Sequence, residues 1–191
     1  MIMRTIDGPT RQNSEDQLGD PSSPSQLLSE GVSPGEVSTP AEPVYVSPWS
    51  YYQSRDEMND GKIYTASVSS TNTVEFDFPY RDPQRGRLTL RRHPTHGKDL
   101  IFRIERGQIL CPSYDDCSVT VRFDDAPAQT VGAVGPSDNS SEAIFLRTYE
   151  SLVPRLIRSK RFRLTVEVHQ EGNVFFDFDV SGFEQGKFVP K

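Results

Sequence analysis

Cys111 and Cys117 are the only cysteines of the chain, and they frame the segment Cys111-Pro-Ser-Tyr-Asp-Asp-Cys117. An apolar run, Leu100 to Leu110, precedes them, and an alternating run, Ser118 to Asp124, follows. That layout predicts two strands joined by a short loop with a cysteine at each gate. Bridged, the pair places the chain in an oxidising compartment; as free thiols it would fit the cytoplasm. A redox couple is disfavoured, because the spacing is not Cys-x-x-Cys and no helix N-terminus follows to stabilise a thiolate. His93-x-x-His96 offers two imidazoles, but no cysteine or third histidine lies nearby, so a polar turn around Pro94 is the expectation rather than a metal site. Asp115-Asp116 and Asp124-Asp125 supply carboxylates for acid–base or calcium chemistry, yet neighbours on a strand point to opposite faces and neither pair has calcium-loop spacing. No serine sits in Gly-x-Ser-x-Gly and no phosphate loop is present, so no catalytic residue, cofactor or metal is expected.

Two further sets of side chains could act by contact. Arg87, Arg91, Arg103 and Arg122 all fall at outward positions of alternating segments and would form a basic stripe if their strands are neighbours. Asp77, Asp124, Asp177 and Asp179 share that outward parity, so cross-strand ion pairs compete with a binding face for a charged partner. Trp49, Tyr51, Tyr52 and Tyr80 could serve as aromatic anchors at such a face, or plug one end of the fold.

The elements that must position these residues read as strands. Lys62–Ser69, Thr73–Phe78, Arg87–Arg91, Asp99–Glu105, Ser118–Asp124, Ala143–Arg147, Phe162–Val168 and Val174–Val180 alternate or are short and apolar, with turn residues between them. In the second of these, Val74, Phe76 and Phe78 should share a face. Ala126–Val134 is weaker and reads as an edge strand, and Gly107 as a break or bulge. Leu152, Val153, Leu156 and Ile157 make one buried helical stripe; Ser151 as N-cap would put Pro154 in the first turn, where a missing N–H is tolerated. The connections are too short for parallel crossovers. The expected fold is mainly β: an antiparallel β-sandwich or partly open barrel of about eight strands with one short α-helix.

Composition divides the chain. Residues 1–44 have no Phe, Tyr or Trp, and seven of the fifteen prolines precede Trp49. A segment so poor in apolar side chains cannot offset its ordering entropy, so 1–44 reads as a disordered acidic tail or tether, 45–185 as a β-rich globular domain and 186–191 as a C-terminal tail. Residues 1–48 hold two arginines against seven acidic groups, whereas the remainder holds 19 basic against 20 acidic. A nearly neutral domain lacks the footprint of a nucleic-acid binder, and the acidic tail opposes attraction to an anionic membrane, leaving another protein as the expected partner. No apolar run is long enough to predict a transmembrane segment, and the start lacks the apolar core of a signal peptide.

Taken together, Trp49-Ser-Tyr51…Asp56-Glu-Met58, Tyr64-Thr-Ala-Ser-Val-Ser-Ser-Thr-Asn-Thr-Val74, Phe78-Pro-Tyr80, Gly107-Gln108…Cys111…Cys117 and Val121-Arg-Phe-Asp-Asp125 resemble an uncharacterised domain of proteobacterial envelope proteins and lipoproteins. The Trp-then-Asp/Met opening is more remotely similar to the VasI-like accessory proteins of type VI secretion. The resemblance covers about residues 49–183. It implies an exported, β-rich, non-enzymatic domain of the periplasm or cell envelope, and it carries over no catalytic residues. The expected function is therefore a protein-binding or accessory domain, a secretion-system accessory or an immunity-type inhibitor. A small hydrolase whose carboxylates converge only in the fold, a structural component of an envelope assembly, and a cytoplasmic location are the alternatives.

Overall fold

A computed structural model describes residues 45–190. Nine strands follow one another: β1 (Ser50–Arg55), β2 (Lys62–Ser69), β3 (Arg87–His93), β4 (Gly97–Arg103), β5 (Cys117–Phe123), β6 (Gln129–Val134), β7 (Ala143–Leu146), β8 (Arg161–Val168) and β9 (Gly172–Asp179). Helix α1 (Tyr149–Leu156) separates β7 from β8, and a single turn, α2 (Gln185–Phe188), follows β9. All pairings are antiparallel, in the order β1-β2-β3-β4-β7-β6-β5-β8-β9.

The alternation read from the sequence decides which face is buried. Leu88 and Leu90 of β3, Leu100 and Phe102 of β4, Val119 and Val121 of β5, Phe162 and Leu164 of β8, and Phe176 and Phe178 of β9 all point into one core. The sheet curls so that its two halves pack face to face: the Phe102 and Phe176 rings, on strands far apart in the order, lie 5.0 Å apart. The result is sandwich-like and is not closed into a barrel. No ladder joins the two outer strands; instead the segment after β2 lies along β9. Thr71 N–H donates to Asp177 O at 2.7 Å, Asn72 Nδ2 donates to Phe175 O at 2.9 Å, and Asp177 N–H donates to Asn72 Oδ1 at 2.8 Å. The Asn72 carboxamide thus imitates a peptide group and, with Thr71, satisfies the middle of the edge that β9 would otherwise leave unpaired.

Several elements depart from the sequence expectation, each for a local reason. Thr73–Phe78 makes only one isolated bridge, Val74 to Gln84. Tyr80 N–H donates to Asp77 O at 2.9 Å, turning the chain through a cis Phe78–Pro79 peptide, so Phe76 is buried while Phe78 is 73% exposed. Ser50–Arg55 is a strand although its sequence does not alternate, because it only has to pair with β2 at the rim. Ala126–Val134 is no edge: β6 lies between β5 and β7. The N-cap is Thr148, whose carbonyl accepts from Ser151 and Leu152 N–H, rather than Ser151. Pro154 therefore sits within the helix, exposed, where it leaves the Glu150 carbonyl without an i+4 donor. Leu152, Val153 and Leu156 form the buried stripe as expected.

Gly107 ends the segment after β4 with φ +119°, and a Cβ there would stand 2.9 Å from the Phe76 ring. Beyond it, Gln108–Leu110 fills the space beside β8 where β5 stops: Leu110 N–H donates to Glu167 O and His169 N–H to Gln108 O. At the opposite end Trp49 is buried, donates Nε1–H to Val180 O at 3.0 Å and stacks edge-on to Phe183. Phe188 packs into the same corner, so the folded part continues past residue 185. The tail expected over 1–44 lies outside the described residues.

Candidate functional site: the arginine face and its hollow

Strand register places Arg87 of β3 directly opposite Arg103 of β4, with Ser69 of β2 on the other side of Arg87. Like charges directly opposite one another are destabilising unless neutralised. Among the described residues neither arginine has a salt-bridge partner. Asp138 feels the charge of Arg103 only weakly; its carboxyl is held below the usual carboxylate range first by the Ser140 backbone N–H, at 2.9 Å.

The other two arginines of the expected stripe are committed elsewhere. Arg91 faces Asp99 and donates to its carboxylate from Nε at 2.8 Å and from its terminal nitrogen at 2.7 Å, with the guanidinium over the Phe145 ring. Arg122 stands apart, since β7 and β6 intervene between β4 and β5. It faces Arg163 across β5 and β8 and donates Nε–H to Ala126 O at 2.8 Å, while Arg163 donates to Asp124 O at 2.9 Å. Both guanidiniums are thereby fixed to carbonyls of the β5–β6 turn. Asp124 accepts the backbone N–H groups of Lys160 and Arg161, and the Arg161 bond is the main reason its carboxyl lies below the ordinary range. Asp177 takes a two-pronged contact from Arg161.

A hollow of about 390 Å³ adjoins the open arginine pair, lined by Ser50, Ser67, Ser69, Thr71, Arg85 and Arg87 among others. No carboxylate lines it. The serines and Arg85 carry no motif and escape sequence reading; the available signal is that Ser67 and Ser69 share the outward parity of β2 and that Ser69 then faces Arg87.

The aromatic residues divide. Trp49 and the half-buried Tyr51 belong to the corner beside Phe183, and Tyr51 Oη accepts the Glu184 N–H at 2.6 Å; burial is the leading cause that raises its pKa. Tyr52, on the outer strand β1, is 70% exposed. Tyr80 lies in a separate loop hollow with Phe78, His169, Asp77 and Glu171. Asp77 and Glu171 give that hollow two carboxylates, and it measures only about 170 Å³. Glu171 is occupied there, accepting the Asp77 backbone N–H at 2.6 Å.

The remaining chemical candidates have structural occupations. Cys111 and Cys117 are disulfide-bonded, with Cα atoms 5.2 Å apart. The neighbouring loop packs against this bridge through Gly135, where a Cβ would stand 2.3 Å from Cys111 O. His93 Nδ1 accepts the N–H groups of Thr95 and His96, closing the β3–β4 turn. Asp116 pairs with Arg147, and Asp115 accepts the Asp116 N–H. Among the described residues no three His, Cys, Asp or Glu side chains converge to hold a metal ion, and no helix is long and apolar enough to cross a membrane. No protein-family model, curated protein or solved structure matches this chain.

Proposed function

We propose that this chain is a non-enzymatic binding or accessory domain of the bacterial cell envelope, recognising another protein through its β2–β3–β4 face. The observation that carries the reading is the directly opposed, unneutralised pair Arg87 and Arg103. A like-charge pair held on two central strands costs stability in the free protein, and an acidic partner surface would relieve it. The exposed Tyr52 lies on β1, which adjoins β2, where an aromatic side chain can contribute to a contact. The disulfide supports a site of action outside the reducing cytoplasm, in keeping with the envelope-domain resemblance. A secretion-system accessory and an immunity-type inhibitor both fit this reading. A hydrolase has less support, because the hollow with two carboxylates falls below the roughly 300–1,000 Å³ usual for ligand sites.

The test is capture from an envelope extract by the full chain, with the captured protein identified by mass spectrometry and then used purified. Arg87→Glu with Arg103→Glu should weaken its binding at least about a hundredfold, because like-charge contact costs several kcal/mol. Binding by the folded double variant equal to wild type would overturn the proposal.

A further inference from the structure

The hollow beside Arg87 has the donor set of an anion site. Ser50 lies directly opposite Ser67 on β1 and β2, and Ser69 lies directly opposite Arg87 on β2 and β3. Rigid strand positions therefore set three hydroxyls and a guanidinium around one concavity. Their hydrogen-bonding capacity is unspent. Ser70 Oγ donates to Asn72 O and Thr71 Oγ1 to Asp177 O, but among the described residues Ser50, Ser67 and Ser69 hydroxyls have no such partner. Arg85 is anchored by one terminal nitrogen on the carbonyls of Ser70 and Thr71, which leaves its other N–H groups free.

We infer that this hollow binds a tetrahedral oxyanion, a phosphate or sulfate monoester, between Arg87, Arg85 and the hydroxyls of Ser50, Ser67 and Ser69. A carboxylate presents two oxygens in one plane and is satisfied by a single guanidinium fork. Donors that arrive from three adjacent strands suit a group with three accepting oxygens pointing in different directions. The absence of any carboxylate from the lining removes the competitor that would fill the arginine forks and repel the ligand. The anion contributes charge neutralisation at Arg87, so the inference rests on the reading of that residue as a contact residue.

The experiment is an amide-resonance titration of the full chain at low ionic strength with phenyl phosphate, phenyl sulfate and, as the planar anion, benzoate. The expected result is a saturable shift at Ser50, Ser67, Ser69 and Arg87 with phosphate or sulfate, and binding at least about tenfold weaker with benzoate. The tighter of the two monoesters names the source of the group. Ser67→Ala with Ser69→Ala, which leaves every arginine in place, should weaken the monoester about tenfold, and Arg87→Ala at least as much. Equal affinity for benzoate, no saturable shift, or an unaffected serine double variant with intact resonance dispersion would each overturn the inference. If these fail while Arg87→Glu with Arg103→Glu still abolishes protein capture, the protein-binding reading stands and the anion site falls.

Discussion

Arg122 and Arg163 oppose each other across β5 and β8 as Arg87 and Arg103 do across β3 and β4, so the two halves of the sheet carry the same local pattern. Their surroundings differ. In the β5–β9 half, the guanidiniums reach the carbonyls of Ala126 and Asp124, Arg161 is paired with Asp177, and Asn72 covers the outer edge; Arg163 Nε alone stays buried and unpaired. In the β1–β4 half, the opposed arginines have no ion-pair partner among the described residues, and β1 pairs along one side only. Parity on a strand therefore does not tell a structural arginine from one available for contact. The supply of acceptors within reach does.

Removal of the disulfide should have the largest effect on this contrast, because it holds the start of β5 in the satisfied half. A seven-residue ring contributes about 2.4 kcal/mol in the chain-entropy model. Reduction should then lower Tm by roughly 5–9 °C for a domain of this size. Thiol titration of denatured, unreduced protein made under oxidising conditions should find no free thiol, and two per chain would remove the bridge from the account.

Next in size is the direct comparison of the two arginine pairs by thermal or denaturant unfolding. Arg122→Ala should cost about 1–2 kcal/mol through loss of a charged donor to Ala126 O. Arg103→Ala should stay within about 0.5 kcal/mol of wild type or be slightly stabilising, since it relieves repulsion. Equal costs at the two sites would erase the distinction between the halves.

The smallest effect is the acid sensitivity at Asp124. Its folded-state carboxyl is depressed by the Arg161 and Lys160 N–H groups, so its contribution is present above the unfolded carboxylate value and is lost as pH falls through the folded one. Asp124→Asn should lower stability modestly at neutral pH, where the carboxylate contributes, and flatten the profile below about pH 4, where wild type loses that contribution. Stability equal to wild type at neutral pH, with the same slope in acid, would show that the carboxylate is not what holds the β5–β6 turn to β8.

The sequence carried the core well because burial follows strand parity: Leu88, Leu90, Val119, Val121, Phe162, Leu164, Phe176 and Phe178 point inward as their alternation requires. The stripe of Leu152, Val153 and Leu156 likewise marks the helix. Strand order was not legible, since it depends on which edges meet after collapse. That is why Arg122 reads as a neighbour of Arg103 in sequence and lies three strands away in the sheet. The same gap hides the hollow, whose serines become a group only when β1, β2 and β3 are side by side. Tyr51 and Tyr52 gave no strand signal because a rim strand need not alternate apolar with polar residues. His93 and the Asp115-Asp116 pair were legible as turn and loop residues, since polar side chains there serve nearby backbone groups.

The clasp made by Asn72 also guards against self-assembly. Beneath it lies Val174-Phe-Phe-Asp-Phe178, a run of high β propensity with Phe175 43% exposed. Were the segment after β2 to detach, its backbone would present a bare row of amide and carbonyl groups to any second molecule in the same state, and strands of this composition stack into fibrils. Two residues, Thr71 and Asn72, bonded to Phe175 and Asp177, stand between that strand and a template for aggregation.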